Sequence, residues 1–83
     1  MKKITQISVV DLGSSKITCV IATKGEEDTS LRVVGVSSVP SRGIRKSQIV
    51  DIEDAIEAVT ETVESAERMA GLSIKDVSIS VSG

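Results

Sequence analysis

Two apolar runs joined by a short polar turn constrain the fold of this 83-residue chain more than any other feature. The first run ends at Asp11, a Gly-Ser-Ser turn follows, and the second run begins after Lys16. Apolar runs of strand length on either side of a short glycine-containing turn are typical of a β-hairpin. We therefore predict a strand over residues 4–12 and its antiparallel partner over residues 16–24.

The turn carries groups that bind anions and cations. Consecutive backbone N–H groups around Gly13 form an anion-binding concavity when the turn is tight, and glycine admits a positive φ and close approach of a ligand. Ser14 and Ser15 add hydroxyl donors, and Lys16 adds a positive charge. Asp11, at the end of an otherwise apolar strand, is suited to a hydrated cation such as Mg²⁺. These residues predict a phosphate–Mg²⁺ corner; the alternative is an ordinary turn without a ligand, because Asp, Gly and Ser are common turn residues.

The composition excludes several classes of function. The chain has no His and one Cys, so a Ser-His or Cys-His catalytic pair is impossible within it and a zinc site is not expected. It has no Phe, Tyr or Trp to stack on bases, and its net charge of −2 gives no basic field for nucleic acid. Cys19 is expected to be a buried small hydrophobe in a reducing compartment. No stretch approaches the length of a membrane span.

A third strand and a connection follow the hairpin. Residues 31–39 are predicted to form the strand, with Gly35 marking a bulge or a close contact. Pro40 is expected to end the ladder because it has no N–H to donate. Residues 41–50 carry three cationic side chains, which could indicate an anion site, but the segment is interpreted as a solvated connection.

A helix and a last strand complete the predicted elements. Asp51 is the expected N-cap of the helix and Gly71 its expected C′ residue. Residues 76–82 alternate with a period of two, which indicates a strand with one apolar face and one face of serine hydroxyls. From Ile52 onward, apolar residues recur on one side of the helix, at Ala55, Ile56, Val59, Val63, Ala66 and Ala70.

The predicted element order, β-β-β-α-β, indicates an α/β fold. A helix between parallel strands makes a right-handed crossover, and the natural sheet places the first strand between the second strand and the last one, in the order 3-2-1-4. The helix covers one face of this sheet and nothing in the chain covers the other. Four strands and one helix correspond to half of a layered α/β domain, so residues 1–83 are interpreted as a fragment of a larger protein.

Several stretches resemble a known family. Residues 10–16 resemble the first phosphate-binding motif of the actin, Hsp70 and sugar-kinase superfamily, in which Asp-X-Gly-(Ser/Thr)-(Ser/Thr) begins an RNase-H-like unit of the same element order. Residues 34–44 resemble the GVG-x-x-PS-x-G segment of FtsA, the bacterial cell-division actin homologue. The likeness continues in the same order at 49–52, 66–71 and 77–83. The resemblance indicates the N-terminal part of an actin-like subdomain, subdomain 1A.

The resemblance implies a nucleotide site. Asp11 would hold Mg²⁺ through water. The amides and hydroxyls around Gly13, Ser14 and Ser15, together with Lys16, would cradle the β- and γ-phosphates of ATP. No catalytic residue is predicted: the full-length protein is expected to have at most a weak ATPase activity, and the fragment alone to bind ATP weakly or not at all.

The resemblance also implies partners. A full-length FtsA would assemble into filaments and tether the ring of the tubulin-like FtsZ to the cytoplasmic face of the cell membrane at the division site. The regions that contact FtsZ and the membrane, including a C-terminal amphipathic helix, would lie beyond residue 83. Two alternatives stay open: a sugar or acetate kinase or Hsp70-type ATPase of the same superfamily, and a structural module without a ligand.

Overall fold

The part of the chain that the computed structural model describes, residues 4–25, 30–41, 44–45, 48–49 and 51–81, contains six strands and one long helix. The helix, α1 (Ile52–Ala70), precedes the last strand. The strands are β1 (Ile4–Leu12), β2 (Lys16–Gly25), β3 (Arg32–Pro40), β4 (Ile44–Arg45), β5 (Gln48–Ile49) and β6 (Ser78–Val81).

The four longer strands form one mixed sheet in the order β3-β2-β1-β6. β2 pairs antiparallel with both β1 and β3, and β6 pairs parallel with β1. The predicted α/β order, β-β-β-α-β, is confirmed, and so is the predicted sheet order 3-2-1-4, in which β6 is the fourth strand. Because β1, β3 and β6 run in the same direction, all three end at the edge of the sheet that carries the β1–β2 turn. We call this edge the turn edge.

The connection predicted for residues 41–50 contains a short ribbon. β4 and β5 pair antiparallel, with Ile44 opposite Ile49 and Arg45 opposite Gln48. The sequence does not indicate this ribbon, because strands of two residues are too short to show a period-two pattern. The other cationic residues of the connection, Arg42 and Lys46, lie outside the described residues.

Helix α1 begins and ends at the predicted capping residues. Asp51 has an extended backbone (φ −141°), and its Oδ1 accepts a hydrogen bond from the N–H of Asp54 at 3.0 Å. Gly71 is left-handed (φ 70°), and its N–H donates to Glu67 O at 2.8 Å. The first interaction pairs a backbone N–H, and the second pairs a backbone carbonyl, that the end of a helix would otherwise leave without a partner. No helix in the described ranges is long and apolar enough to cross a membrane.

The buried side of α1 matches the predicted stripe in part. Ala55 and Ala66 are buried, and three further members pack partly buried against the core: Val59, Val63 and Ala70. The expected stripe included Ile52 and Ile56, yet these side chains are 66% and 59% exposed. Thr62 is fully buried instead, and its Oγ1 donates to Ala58 O at 2.7 Å, so the hydroxyl has a partner within the helix. The buried residues of the helix are the small ones: Ala55, Ala58, Thr62 and Ala66.

Small side chains on α1 allow a close contact with β3 at Gly35. Opposite the break between Ile21 and Ala22, the pairing of β3 passes from Gly35 to Val33, so Val34 is the extra residue of a bulge. A Cβ atom added to Gly35 would lie 2.5 Å from the backbone oxygen of Ala66 and 3.0 Å from Ala70 Cβ. The predicted bulge and the predicted close contact at this glycine are both confirmed.

The core lies between α1 and one face of the sheet. β1 contributes Val10 and Leu12, and β2 contributes Ile17, Cys19 and Ile21, all buried against the alanines of the helix. Cys19 is a free, fully buried thiol, as predicted. Burial, with a smaller contribution from the Glu67 carboxylate, raises the pKa of this thiol. The cysteine therefore acts as part of the apolar interior.

The contact at Gly35 predicts the effect of a single methyl group. We expect Gly35→Ala to lower the free energy of unfolding by about 1–3 kcal/mol, because the new Cβ overlaps a backbone oxygen. Adding Ala70→Gly is not expected to restore stability, since it relieves the 3.0 Å contact and leaves the 2.5 Å contact with Ala66 O. Urea unfolding followed by far-UV circular dichroism measures both changes.

Gly71→Ala is the comparison for this experiment. A Cβ at Gly71 meets no atom within 4 Å, so this variant reports only the strain of a left-handed residue at φ +70°. A Gly35→Ala variant as stable as the unsubstituted protein would contradict the close helix–sheet contact.

Candidate functional site

The β1–β2 turn presents polar groups at the turn edge. Gly13 is buried, and its N–H donates to Lys16 O at 3.0 Å, which closes the turn. Ser14, Ser15 and Lys16 are exposed. No backbone carbonyl within the described ranges accepts a hydrogen bond from the N–H of Ser14 or Ser15. These two amides, two hydroxyls and one ammonium group are therefore accessible to an anion at the tip of the hairpin.

Gly13 does not use the positive φ that glycine admits. Among the described glycines, Gly71 is the one with a positive φ. The chain bends at Ser14 and Ser15, between the hydrogen-bonded Gly13 and Lys16. The reversal of direction therefore requires no left-handed backbone at Gly13.

The tip of the hairpin is attached to the end of β3. The N–H of Ser41, the residue after β3, donates to Ser15 O at 3.0 Å. Lys16 also pairs with Pro40 at the end of the β2–β3 ladder. These contacts attach the turn to the end of β3. The amides of Ser14 and Ser15 therefore lie in a segment that is positioned by the sheet.

Asp11 lies in a row of polar residues that crosses the whole sheet. It is paired with Thr18 on β2 and with Ser80 on β6, and Thr18 is paired in turn with Ser38 on β3. The hydroxyl oxygens of Thr18 and Ser38 lie 3.4 Å apart. Since Val10 and its neighbours face α1, strand alternation directs these four side chains to the opposite face. We call Ser38, Thr18, Asp11 and Ser80 the polar row.

The polar row is bordered by apolar residues on the side away from the turn. The next row on the same face contains Val36, Val20 and Val9, with Ser78 at its end. Thr18, Ser38 and Ser80 do not stand out as site residues in the sequence, although the serine alternation of the last strand was a partial signal. They become neighbours of Asp11 only through the pairing of strands that are distant in sequence.

The side chains at the turn edge that could bind a cation determine which kind of metal site is possible there. No group of three or more His, Cys, Asp or Glu side chains that could coordinate a metal occurs in the part of the chain that the structure describes. Mg²⁺ usually keeps several of its waters and is held by one or two carboxylates together with substrate phosphates. One half-buried carboxylate, Asp11, beside a turn with exposed hydrogen-bond donors fits Mg²⁺ held through water with a phosphate, and does not fit a metal site made of protein ligands alone.

Comparison with curated proteins identifies the family. The chain is 38% identical over 74 residues to the cell division protein FtsA of Borreliella burgdorferi, and the match covers 89% of the chain. It is 34% identical over 77 residues to FtsA of Neisseria meningitidis, with 93% of the chain covered. It is 32% identical over 74 residues to FtsA of Bacillus subtilis, with 89% covered. The chain belongs to the FtsA family.

The predicted resemblance to FtsA is thereby confirmed, for a limited part of FtsA. The chain spans 18% of the Borreliella and Neisseria proteins and 16% of the Bacillus protein. No family model matches the chain. Within this FtsA segment, Gly13, Ser14, Ser15 and Lys16 lie together in one turn, and Asp11 lies in the strand that leads into it.

The hydrogen bonds of the turn predict a pattern of amide exchange. We expect the Ser41 amide to exchange slowly with solvent, because it donates to Ser15 O, and the Ser14 and Ser15 amides to exchange fast. Hydrogen–deuterium exchange resolved by NMR measures these rates.

Two variants of Ser41 test the attachment of the turn. Ser41→Pro removes the N–H and is expected to speed exchange at Gly13, whose N–H closes the turn, whereas Ser41→Ala keeps the N–H and is expected to leave that rate unchanged. A Ser41 amide that exchanges as fast as the Ser14 amide would show that the turn is not attached to the end of β3.

Proposed function

We propose that this chain supplies the first phosphate-binding hairpin of an FtsA protein that binds ATP with Mg²⁺. The observation that supports the proposal is the position of the turn, whose free amides lie where three strands of the sheet end, next to Asp11. In open α/β sheets, ligands bind in the crevice beyond the carboxyl ends of the strands. The family resemblance of the Asp-X-Gly-Ser-Ser motif is a second, separate support.

Each residue of the hairpin has a proposed role. The amides and hydroxyls of Ser14 and Ser15 bind oxygens of the β- and γ-phosphates, and Lys16 adds a positive charge. Gly13, whose N–H closes the turn, shapes the backbone that carries these donors. Asp11 would hold Mg²⁺ through water, and the cation would supply positive charge that offsets the charge of the phosphates.

The role of the whole protein is proposed from its family. We propose that residues 1–83 form the N-terminal part of subdomain 1A of a protein that acts in cell division. Such a protein would assemble into filaments and link the FtsZ ring to the inner face of the cell membrane at the division site. The surfaces for FtsZ, the membrane and other division proteins would then lie outside this chain, which spans less than a fifth of its relatives.

The proposed roles of Asp11 and Lys16 predict two kinds of binding defect in the full-length protein. Asp11→Ala is expected to weaken binding of Mg·ATP while leaving the melting temperature nearly unchanged, because a hydrated cation loses its acceptor. Lys16→Ala is expected to weaken ATP binding more than adenosine binding, because only ATP carries the phosphate charge. Isothermal titration calorimetry with ATP and adenosine measures the affinities.

Matched variants separate these effects from changes in overall charge. Lys24→Ala removes an exposed lysine from the other end of β2, and Asp76→Ala removes an exposed carboxylate from the loop before β6. Both are expected to bind Mg·ATP normally. If Asp11→Ala loses about 1 kcal/mol of stability but keeps full affinity for Mg·ATP, Asp11 only caps a turn and the phosphate-corner assignment fails.

The isolated 83-residue chain is expected to bind ATP weakly or not at all. It contains one phosphate-binding turn on an open sheet edge, whereas sites of high affinity bury most of the ligand surface. Calorimetry on the isolated chain and on the full-length protein makes the comparison. Micromolar affinity of the isolated chain would mean that the hairpin needs no opposing lobe.

A further inference from the structure

We propose that Thr18 and Ser80 are positioning residues that orient the Asp11 carboxylate toward a hydrated cation. The proposal rests on the proposed function of the turn and extends it to two residues outside the turn. Its basis is the polar row, in which Asp11 has Thr18 on one side and Ser80 on the other.

The pairing brings each hydroxyl within reach of the carboxylate. Thr18 and Asp11 are directly paired on antiparallel strands, where Cβ atoms lie about 4.5–5.5 Å apart, a distance that a hydroxyl and a carboxylate bridge with one hydrogen bond. Ser80 is paired with Asp11 on a parallel strand, at the usual strand spacing of about 4.7–4.9 Å. An ionised carboxylate has about four acceptor positions, so it accepts both hydroxyls and still binds water. Hydrogen bonds from both sides would restrict rotation of the Asp11 side chain, as outer hydrogen bonds do for the ligands of metal sites.

Ser38 extends this arrangement by one strand. Its hydroxyl oxygen lies 3.4 Å from that of Thr18, and either group is able to donate. When Ser38 donates to Thr18, the hydrogen of Thr18 is free to point at Asp11. The result is a directed chain from Ser38 through Thr18 to the carboxylate, in which each bond polarises the next.

The neighbouring row supplies a control within the same strand. Ser78 has the same side chain, lies on the same face of β6 and is exposed, but it pairs with Val9 and not with a carboxylate. A hydroxyl at Ser78 therefore has no acidic partner to orient. Any effect of Ser80 that Ser78 lacks depends on the polar row.

The test uses four variants of the full-length protein. Thr18→Val keeps the shape of the side chain and removes the hydroxyl, whereas Thr18→Ser keeps the hydroxyl. Ser80→Ala removes a hydroxyl inside the polar row, and Ser78→Ala removes one outside it. The dissociation constant for ATP is measured for each variant in Mg²⁺ and again in EDTA.

We expect Thr18→Val and Ser80→Ala each to weaken ATP binding about tenfold in Mg²⁺ and to leave binding in EDTA unchanged. Thr18→Ser and Ser78→Ala are expected to match the unsubstituted protein in both conditions. A merely structural role for the hydroxyls would change the two conditions alike. Because Ser80 is exposed, Ser80→Ala still provides the test if Thr18→Val fails to fold.

The outcomes separate this proposal from the function on which it rests. If Asp11→Ala does not change the Mg²⁺-dependent part of ATP binding, the proposed function fails. If Asp11→Ala removes that part while Thr18→Val and Ser80→Ala keep it, the proposed function stands and the positioning role is overturned.

Discussion

The close approach of α1 to β3 at Gly35 holds together a core that contains no aromatic side chain. With no Phe, Tyr or Trp in the chain, the interior is built from Val, Ile, Leu, Ala, Cys, Ser and Thr. Small side chains fill an interior to normal density only when the backbones that carry them lie near one another. The alanines on the buried side of α1 and the absent side chain at Gly35 allow this approach. The helix therefore lies over β2 and β3, and its isoleucines line a groove of about 230 Å³ toward β6.

The geometry of the turn edge depends on that core. Val10, Leu12 and Ile17 are buried against the helix, so the residues between them, including Asp11, must face the other way. A shift of one residue in the β1–β2 pairing would exchange the two faces, and burying a carboxylate against alanines is costly. Apolar packing on one face thus fixes which polar side chains line the other. The same constraint keeps Thr18 opposite Asp11.

Elements specified by neighbouring residues were predictable from the sequence, and so was the order of the strands. Most of the side-chain neighbours that strand pairing and helix packing create were not. The hairpin, the sheet order and the helix from Asp51 to Gly71 follow from local pattern, capping chemistry and the handedness of crossovers. The burial of Thr62 in place of Ile56 escaped prediction, because periodicity reports hydrophobicity and not how closely a helix approaches its sheet. The turn residues of the candidate site were identified from their own motif. The polar row was not, because no single strand contains more than one of its residues.

The pairing of β6 with β1 has a consequence for the order in which this region folds. Val10 pairs with Cys19 across one tight turn, but it also pairs with Ile79, which lies near the far end of the chain. The entropy lost in closing a loop grows with loop length, so the meander of β1, β2 and β3 closes at less cost than the β1–β6 contact. During synthesis on a ribosome the meander has a further advantage over the β1–β6 contact, because it emerges before β6 has been synthesised. Asp11, Thr18 and Ser38 thus become neighbours early, and Ser80 is the last member of the row to arrive.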